Sequence, residues 1–392
     1  VVRTEQTLPT WQRMRVWGAA HAVDDLYQGL VPASVPYFVI DRHYGYVAAS
    51  GLSLAATLGA ALPQPVVGLI VDRYAASWLA AAGVGLAGVG VGLSGLVPGY
   101  AAVWAMLFAS GLGVAMFHPA AGKAARRAAG ESAAAMSVFA TGGNVGFFVA
   151  PVLATPALDA LGVGATALFL PPAVLAGFVL LRRQQRIAPT RRVVSGAGTD
   201  RWRPFLLLTA VEVTRSVTFF GISTFIELYW LTHLGATRLS AGAALTSFLA
   251  GGVAGTLVGG RIADRYGLTR TVLVGNAAAM PALIGLRMCP DAIIGLGAAA
   301  AAGITIQIPF SVLVKLGQDY LPTRPGTASG VTLGLAVSAG GLAAPGFGAI
   351  AASHGLAAVF TVFCLLPVPA TLLARLLPEP GRSSDHRARV AA

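Results

Sequence analysis

His21, Asp24, Asp25 and Gln28 stand in an otherwise apolar run. Spacings of three and four place His21, one of the two aspartates and Gln28 along one face of a helix. A carboxyl in such surroundings is discouraged from ionising by burial and encouraged by any nearby cation, and that balance suits a group that takes up and releases a proton. The same interval of 191 residues separates His21 from Glu212 and Asp24 from Arg215. Glu212 and Arg215 are three residues apart and can pair on one helix, either as a static ion pair or as a pair whose arginine exchanges partners with Asp24 or Asp25. Asp24, Asp25 and Glu212 are therefore the candidate proton-carrying groups, with the choice between Asp24 and Asp25 open. His118, just before Pro119, is either a titratable or ligand-contacting imidazole or one that satisfies the carbonyl freed by the proline. Asn144 and Gln307 are amides that either bind a ligand or join helices. Tyr27 and Trp230 are candidate cavity aromatics, although Trp230, near a helix end, reads better as an interfacial anchor. Glu227, near the far end of its helix, reads as solvated surface.

The elements that hold these groups follow from composition. Hydrophobic residues make up 56% of the 392 residues and charged residues 11%, with a mean hydropathy of +0.73. So few charges cannot cover a water-soluble surface of this size, and disorder is excluded for the same reason. About 20 apolar residues cross a bilayer. The apolar runs predict helices near 14–40, 47–71, 77–97, 100–123, 132–157, 162–181, 204–231, 239–262, 270–288, 292–315, 326–352 and 355–377. That is an all-α integral membrane chain of twelve transmembrane helices. Charges inside it each cost about 2.5–3.5 kcal/mol on insertion scales, so each needs a reason.

The net charge of +12 does not point to nucleic acid. With the N-terminus inside, 23 of the 27 Lys and Arg fall in cytoplasmic segments, which is the positive-inside bias. Both termini are then cytoplasmic. Segment 182–203, with seven arginines and the single acid Asp200, divides residues 1–181 from 204–377 and reads as a basic linker, with 378–392 a cytoplasmic tail. The early apolar run contains His21, Asp24 and Asp25 and lacks a small-residue cleavage site, so it reads as an uncleaved first helix. Cys289 and Cys364 suggest neither a disulfide framework nor a metal cluster, and no His, Cys or carboxylate spacing makes a zinc site. Cofactors are not expected. A phosphate-binding Gly-rich loop is missing too, which argues against direct ATP drive.

The two halves repeat. Gly68-Leu-Ile-Val-Asp72-Arg73-Tyr74 matches Gly260-Arg-Ile-Ala-Asp264-Arg265-Tyr266, and Gly146-x-x-x-Ala150-Pro151 matches Gly340-x-x-x-Ala344-Pro345. Parallel six-helix repeats are a signature of secondary transporters, whose site lies between the halves. Gly146 and Gly340 allow close helix approach, and Pro151 and Pro345 favour bends.

The paired Gly-x-x-x-Asp-Arg loops resemble the signature of the major facilitator superfamily. The second copy keeps the following Gly267 and Arg270, whereas the first runs on as Tyr74-Ala-Ala-Ser77. His21-x-x-Asp24-Asp25, Gln64-Pro65-x-x-Gly68, Gly111-x-Gly113-x-x-x-Phe117-His118-Pro119 and Gly142-Gly143-Asn144-x-Gly146 are similar to the fosmidomycin-resistance branch of that superfamily. The resemblance implies two pseudo-symmetric six-helix bundles, a cavity walled by helices 1, 4, 5, 7, 10 and 11, and alternating access. It implies proton-coupled efflux of a small amphiphilic or anionic drug or metabolite across a bacterial cytoplasmic membrane, by a non-enzymatic protein. Proton-coupled nutrient uptake and a non-transporting receptor or assembly factor are the alternatives. His21, Tyr27, Gln28, His118, Asn144, Arg215 and Gln307 become candidate substrate contacts, with Lys123 a further attractor of negative charge. Asp72, Arg73, Asp264 and Arg265 become a gating latch, or else residues that only fix a tight turn. The expected partners are protons, a small-molecule substrate and the lipid bilayer, with the protein working as a monomer.

Overall fold

A computed structural model describes residues 9–44, 46–74, 76, 78–186 and 198–380, and among them every regular element is helical. The first half contains α1 (Thr10–Arg42), α2 (Tyr46–Ala61 and Gln64–Arg73), α3 (Trp78–Ser94), α4 (Tyr100–Ala129), α5 (Ala133–Leu161) and α6 (Leu170–Arg186, entered by a 3-10 turn, Val163–Phe169). The second contains α7 (Trp202–Thr232), α8 (Arg238–Tyr266), α9 (Leu268–Arg287) and α10 (Ala292–Gln307 and Phe310–Tyr320). It ends with α11, from Pro325–Ser329 through the π-helical Gly330–Leu335 into Ala336–Leu365, and α12, which follows Gly355 and includes Pro367–Ala374. Most of the segment expected to link the halves, 187–197, lies outside the described residues, as does 381–392 of the expected tail.

Nine stretches among the described residues are long and apolar enough to cross a membrane, one of them the 50-residue Pro325–Ala374. That stretch holds two crossings, because Gly355 takes a left-handed φ of 80° that breaks the helical path. Trp78–Ser94 is a shorter apolar helix, and α1 is diluted by its own charges. With these the twelve helices are complete.

Two of the predicted helices are broken at prolines, and a third changes its helical geometry. The helix expected at 47–71 is interrupted at Leu62-Pro63 and restarts with Gln64-Pro65, since proline removes a backbone donor and clashes with the preceding turn. Pro309 divides the helix expected at 292–315 in the same way. The segment 330–335 widens to a π-helix inside α11. By contrast, α5 and α11 run through Pro151 and Pro345 without a break in helical assignment.

α1 packs along α5, and α7 along α11. Small residues make both contacts: a Cβ on Gly146 would overlap the Ala22 carbonyl oxygen, and one on Gly340 would overlap Ser216. Gly348, three residues beyond Pro345 on the same helix, faces open space. Gly146→Ala is therefore expected to lower stability by about 1–3 kcal/mol, as overpacking does, and Gly348→Ala to leave it unchanged. Thermal unfolding of both variants in detergent checks this, and equal effects would refute the packing argument.

The halves meet through α5 with α8 and through the start of α11 with the second segment of α2. At the end of the bundle that carries the Asp72 and Asp264 loops, the apolar clusters mix residues of both halves. Phe310, Val314 and Leu333 join Phe117 and Phe139 there, and Ala133 joins Leu268 and Ala328. At the opposite end each half keeps its own core. The molecule is thus closed at the loop end, with a cavity of about 1080 Å³ between the halves toward the other.

Candidate functional site

The cavity walls come from α1, α2, α4, α5, α7, α8 and α11. They are largely apolar, as at Val31, Pro32, Phe147, Phe148, Phe220 and Leu249, with hydroxyls at Ser53, Thr57, Ser223 and Thr246. Pro151 lines this cavity, and so does Glu227, which the sequence reading assigned to solvated surface. Gln28 borders both the cavity and a smaller cleft of about 60 Å³. The polar lining of that cleft is His21, Asp25, Gln28, His118, Asn144, Arg215 and Gln307, gathered from both halves. Six of the seven expected substrate contacts meet there, together with one of the two helix-one aspartates.

His21 stacks on Phe139 with ring centroids 4.3 Å apart, and its Nδ1 lies 2.8 Å from the Phe139 carbonyl oxygen. His118 places Nδ1 3.0 Å from the Val114 carbonyl oxygen, so the backbone acceptor is the one a full turn before the histidine itself, not the Ala115 carbonyl freed by Pro119. The two Nε2 atoms are 3.1 Å apart, and Asp25 reaches both rings at 3.3 Å, Oδ2 to His21 and Oδ1 to His118. Donor atoms of His21, Asp25 and His118 thus lie within 4.8 Å of one another. Sequence spacing does not disclose this grouping, because His118 arrives from 97 residues away.

Asp24 and Asp25 point to different places. Asp25 borders the cleft, while Asp24 is fully buried and does not line it. Neither Asp24 oxygen accepts a hydrogen bond, and His118 Nδ1 stands 3.7 Å from its Oδ2. Across the cleft, Arg215 donates from Nε (2.9 Å) and Nη2 (2.6 Å) to the two Glu212 oxygens, and from Nη1 to Gln307 Oε1 (2.6 Å). The Phe310 ring lies 4.6 Å below the guanidinium. In this conformation Arg215 pairs with Glu212 and does not reach the helix-one aspartates. Asn144 donates to Thr256 Oγ1 at 3.0 Å, tying α5 to α8.

Three expected site residues go elsewhere. Tyr27 turns into the core of the first half, its hydroxyl donating to the Phe169 carbonyl, because its side of α1 faces α3 and α6 rather than the cavity. Lys123 donates to the Val71 carbonyl (2.8 Å) and to Asp72 (3.1 Å), and so belongs to the loop end. Trp230 is fully buried, with Nε1 facing the Ala292 carbonyl, and is no interfacial anchor.

At the loop end, Asp72 accepts from Gly326 N, Thr327 N and Thr327 Oγ1, each at 2.8 Å, at the start of α11 in the other half. Asp264 accepts from Ala133 N (2.6 Å), Ala134 N (3.0 Å) and Ser132 Oγ (2.9 Å), at the start of α5. Each carboxylate satisfies donors that a helix N-terminus leaves unpaired. Arg73 and Arg265 are exposed and lie over Tyr74 and Tyr266. The sequence reading missed three further contacts between the halves: Asp319 with Arg126, Lys315 with Glu131, and Gln318 Nε2 with the Gly122 carbonyl. A run of charges near a helix end looks like positive-inside bias and carries no signal of its partner.

A sequence profile of the Major Facilitator Superfamily matches residues 19–333 and 208–391. The chain is 28% identical over 384 residues to the uncharacterised MFS-type transporter YfnC of Bacillus subtilis (strain 168), covering 92% of this chain and 91% of that one. It is 27% identical over 360 residues to the fosmidomycin resistance protein of Escherichia coli (strain K12), covering 89% and 88%. Among solved structures, the transporter FucP in its outward conformation superposes with a TM-score of 0.76 at 14% identity, covering 95% of this chain and 100% of that one. A variant of the E. coli fucose:proton symporter FucP gives 0.72 at 15% identity, with the same coverage. At these identities the structural likeness speaks for the fold alone.

Proposed function

The chain belongs to the Major Facilitator Superfamily, and on that premise we propose that it exports a small amphiphilic or anionic compound in exchange for protons. One observation carries this reading: a cluster of ionisable side chains, contributed by both halves, lies at the floor of a large and mainly apolar cavity. Apolar walls suit an amphiphilic cargo. Arg215 and the two histidines offer donors to a negative group on it. Asp25, His21 and His118 are the groups through which proton and cargo compete, with Glu212 answering the Arg215 charge. Asp24, set behind the cleft, supports His118 from its far side. The relative named for fosmidomycin resistance favours efflux over uptake.

In this reading the arginine-rich loop end faces the cytoplasm of a bacterial cell, both termini lie inside, and the cavity opens outward. Residues 1–181 and 204–377 are the moving units, 182–203 joins them, and the protein works as a monomer. The Asp72 and Asp264 contacts hold the inner end closed. Release of both, with the cavity walls drawn together, gives the inward-open state.

Direction is tested in cells loaded with fosmidomycin as the probe. An imposed inward proton gradient is expected to speed loss of the probe, and an uncoupler or Asp25→Asn to remove that acceleration. Faster accumulation under the same gradient would replace export by uptake. Indifference to the gradient would end the proton-coupled reading.

A further inference from the structure

We propose that the coupling proton resides between two imidazoles, shared as N–H···N by His21 Nε2 and His118 Nε2, with Asp25 as its counter-charge and its way out. The inference deepens the proton-coupled reading above and rests on it.

Hydrogen-bond chemistry fixes the count. A carbonyl oxygen only accepts, so each Nδ1 that faces one must carry hydrogen. That applies to His21 against Phe139 and to His118 against Val114. Two neutral rings would then present bare Nε2 lone pairs to each other across 3.1 Å, with no hydrogen between them. One added proton turns this repulsion into a hydrogen bond of ordinary length. The pair therefore holds three protons on four ring nitrogens and carries one positive charge.

The surroundings suit that charge and offer it a route. Asp25 spans the pair, one oxygen 3.3 Å from each Nε2, and its Oδ1 has no hydrogen-bond partner. The shared proton can pass from His118 Nε2 to Asp25 Oδ1 once the carboxylate turns into line with that nitrogen. The N–H bond breaks as the O–H bond forms, leaving neutral imidazoles and a neutral carboxyl. Asp25 borders the cleft with part of its side chain exposed, so the carboxyl can hand the proton on toward the cargo path. On α1 the other facing charge is Asp24, 3.7 Å from His118 Nδ1. On α7 it is Arg215, already paired with Glu212. Beside the histidines, α5 contributes Phe139 and Asn144, α10 Gln307 and Phe310, and α11 Leu333, none of which titrates. Backbone acceptors at both Nδ1 atoms hold the rings in register through the cycle.

The test is nitrogen-15 NMR of the full chain in detergent with labelled histidine, following ring protonation across pH. The chain has six histidines. Two are expected to titrate as one unit, taking up a single proton between them, with a hydrogen-bonded Nε2 signal. Either His21→Gln or His118→Gln should abolish the joint step and return the remaining ring to independent titration. The wild-type curve decides even if one variant fails to fold. Six independent titrations would overturn the proposal, and so would one metal ion per chain in the purified protein by elemental analysis, since an ion would then occupy the gap. Joint titration with transport blind to a proton gradient would sink the coupling reading and leave the shared proton standing. Independent titration with gradient-driven transport would do the reverse.

Discussion

Asp72→Asn is expected to open the loop end, shifting the balance between the closed and open arrangements there by roughly 30-fold. The carboxylate accepts three 2.8 Å hydrogen bonds at the first turn of α11 and a fourth contact from Lys123 at 3.1 Å. An amide keeps one acceptor oxygen, turns its NH2 toward backbone donors and loses the charge that favours a helix N-terminus. Hydrogen bonds to a charged group are worth about 1.5–3 kcal/mol, and a loss near 2 kcal/mol gives the stated ratio. Spin labels on Ser53 and Thr246, on opposite walls of the cavity, read the change as a shorter distance population. Asp264→Asn should do the same by releasing the start of α5, and the double variant should multiply the two effects, since the contacts share no residue. Arg73→Gln and Arg265→Gln should move the distribution little, because those side chains lie over adjacent tyrosines and not in the contact. An unchanged distribution in Asp72→Asn would mean the loop only shapes a turn.

The contrast between the aspartates and the arginines of these loops shows what a sequence can and cannot disclose. Local spacing plus the internal repeat placed two carboxylates at equivalent loops, and the physics of helix ends supplied the kind of partner each would seek. It did not supply the address: Thr327 and Ala133 are 255 and 131 residues away from the carboxylates they meet. The same distinction runs through the cavity floor. His21 and Asp25 share a helix face four residues apart, so their proximity was readable, while His118 entered the reading only as a lone histidine before a proline. Its arrival beside His21 depends on how α1 and α4 cross. Tyr27 illustrates the opposite failure. It is polar and close to Asp25 in sequence, yet two residues are 200° around a helix, and that turn carries it into the core of its own half. Membrane crossing, in contrast, depends on composition summed over about 20 residues, and single misplacements wash out. The breaks at Pro63 and Pro309 were missed because a hydropathy run says nothing about backbone donors, although the prolines themselves were visible.

Removing one member of the Glu212–Arg215 pair is expected to have the larger effect on folding. Glu212 is fully buried and Arg215 nearly so, and the guanidinium depends on Glu212 for two of its hydrogen bonds and for its only close counter-charge among the described residues. Glu212→Gln leaves a buried cation uncompensated, which costs about 3–5 kcal/mol in comparable pairs. The variant should unfold at markedly lower temperature in detergent. Glu212→Gln with Arg215→Met removes both charges and should restore most of that stability, since an apolar pair of similar volume avoids the desolvation cost of two ions. The double variant then separates structure from transport. A pair that only holds α7 in place predicts normal transport from the refolded double variant. The reading proposed here predicts a stable protein with weakened cargo binding, its KM raised about tenfold. That corresponds to losing one charge-assisted hydrogen bond of about 1.4 kcal/mol. Gln307, which accepts from Arg215 Nη1 at 2.6 Å, supplies the check within the site. Gln307→Leu should raise KM in the wild-type background and add nothing in the double variant, because its partner is already gone. An additive effect there would place Gln307 on the cargo directly and leave Arg215 as scaffold.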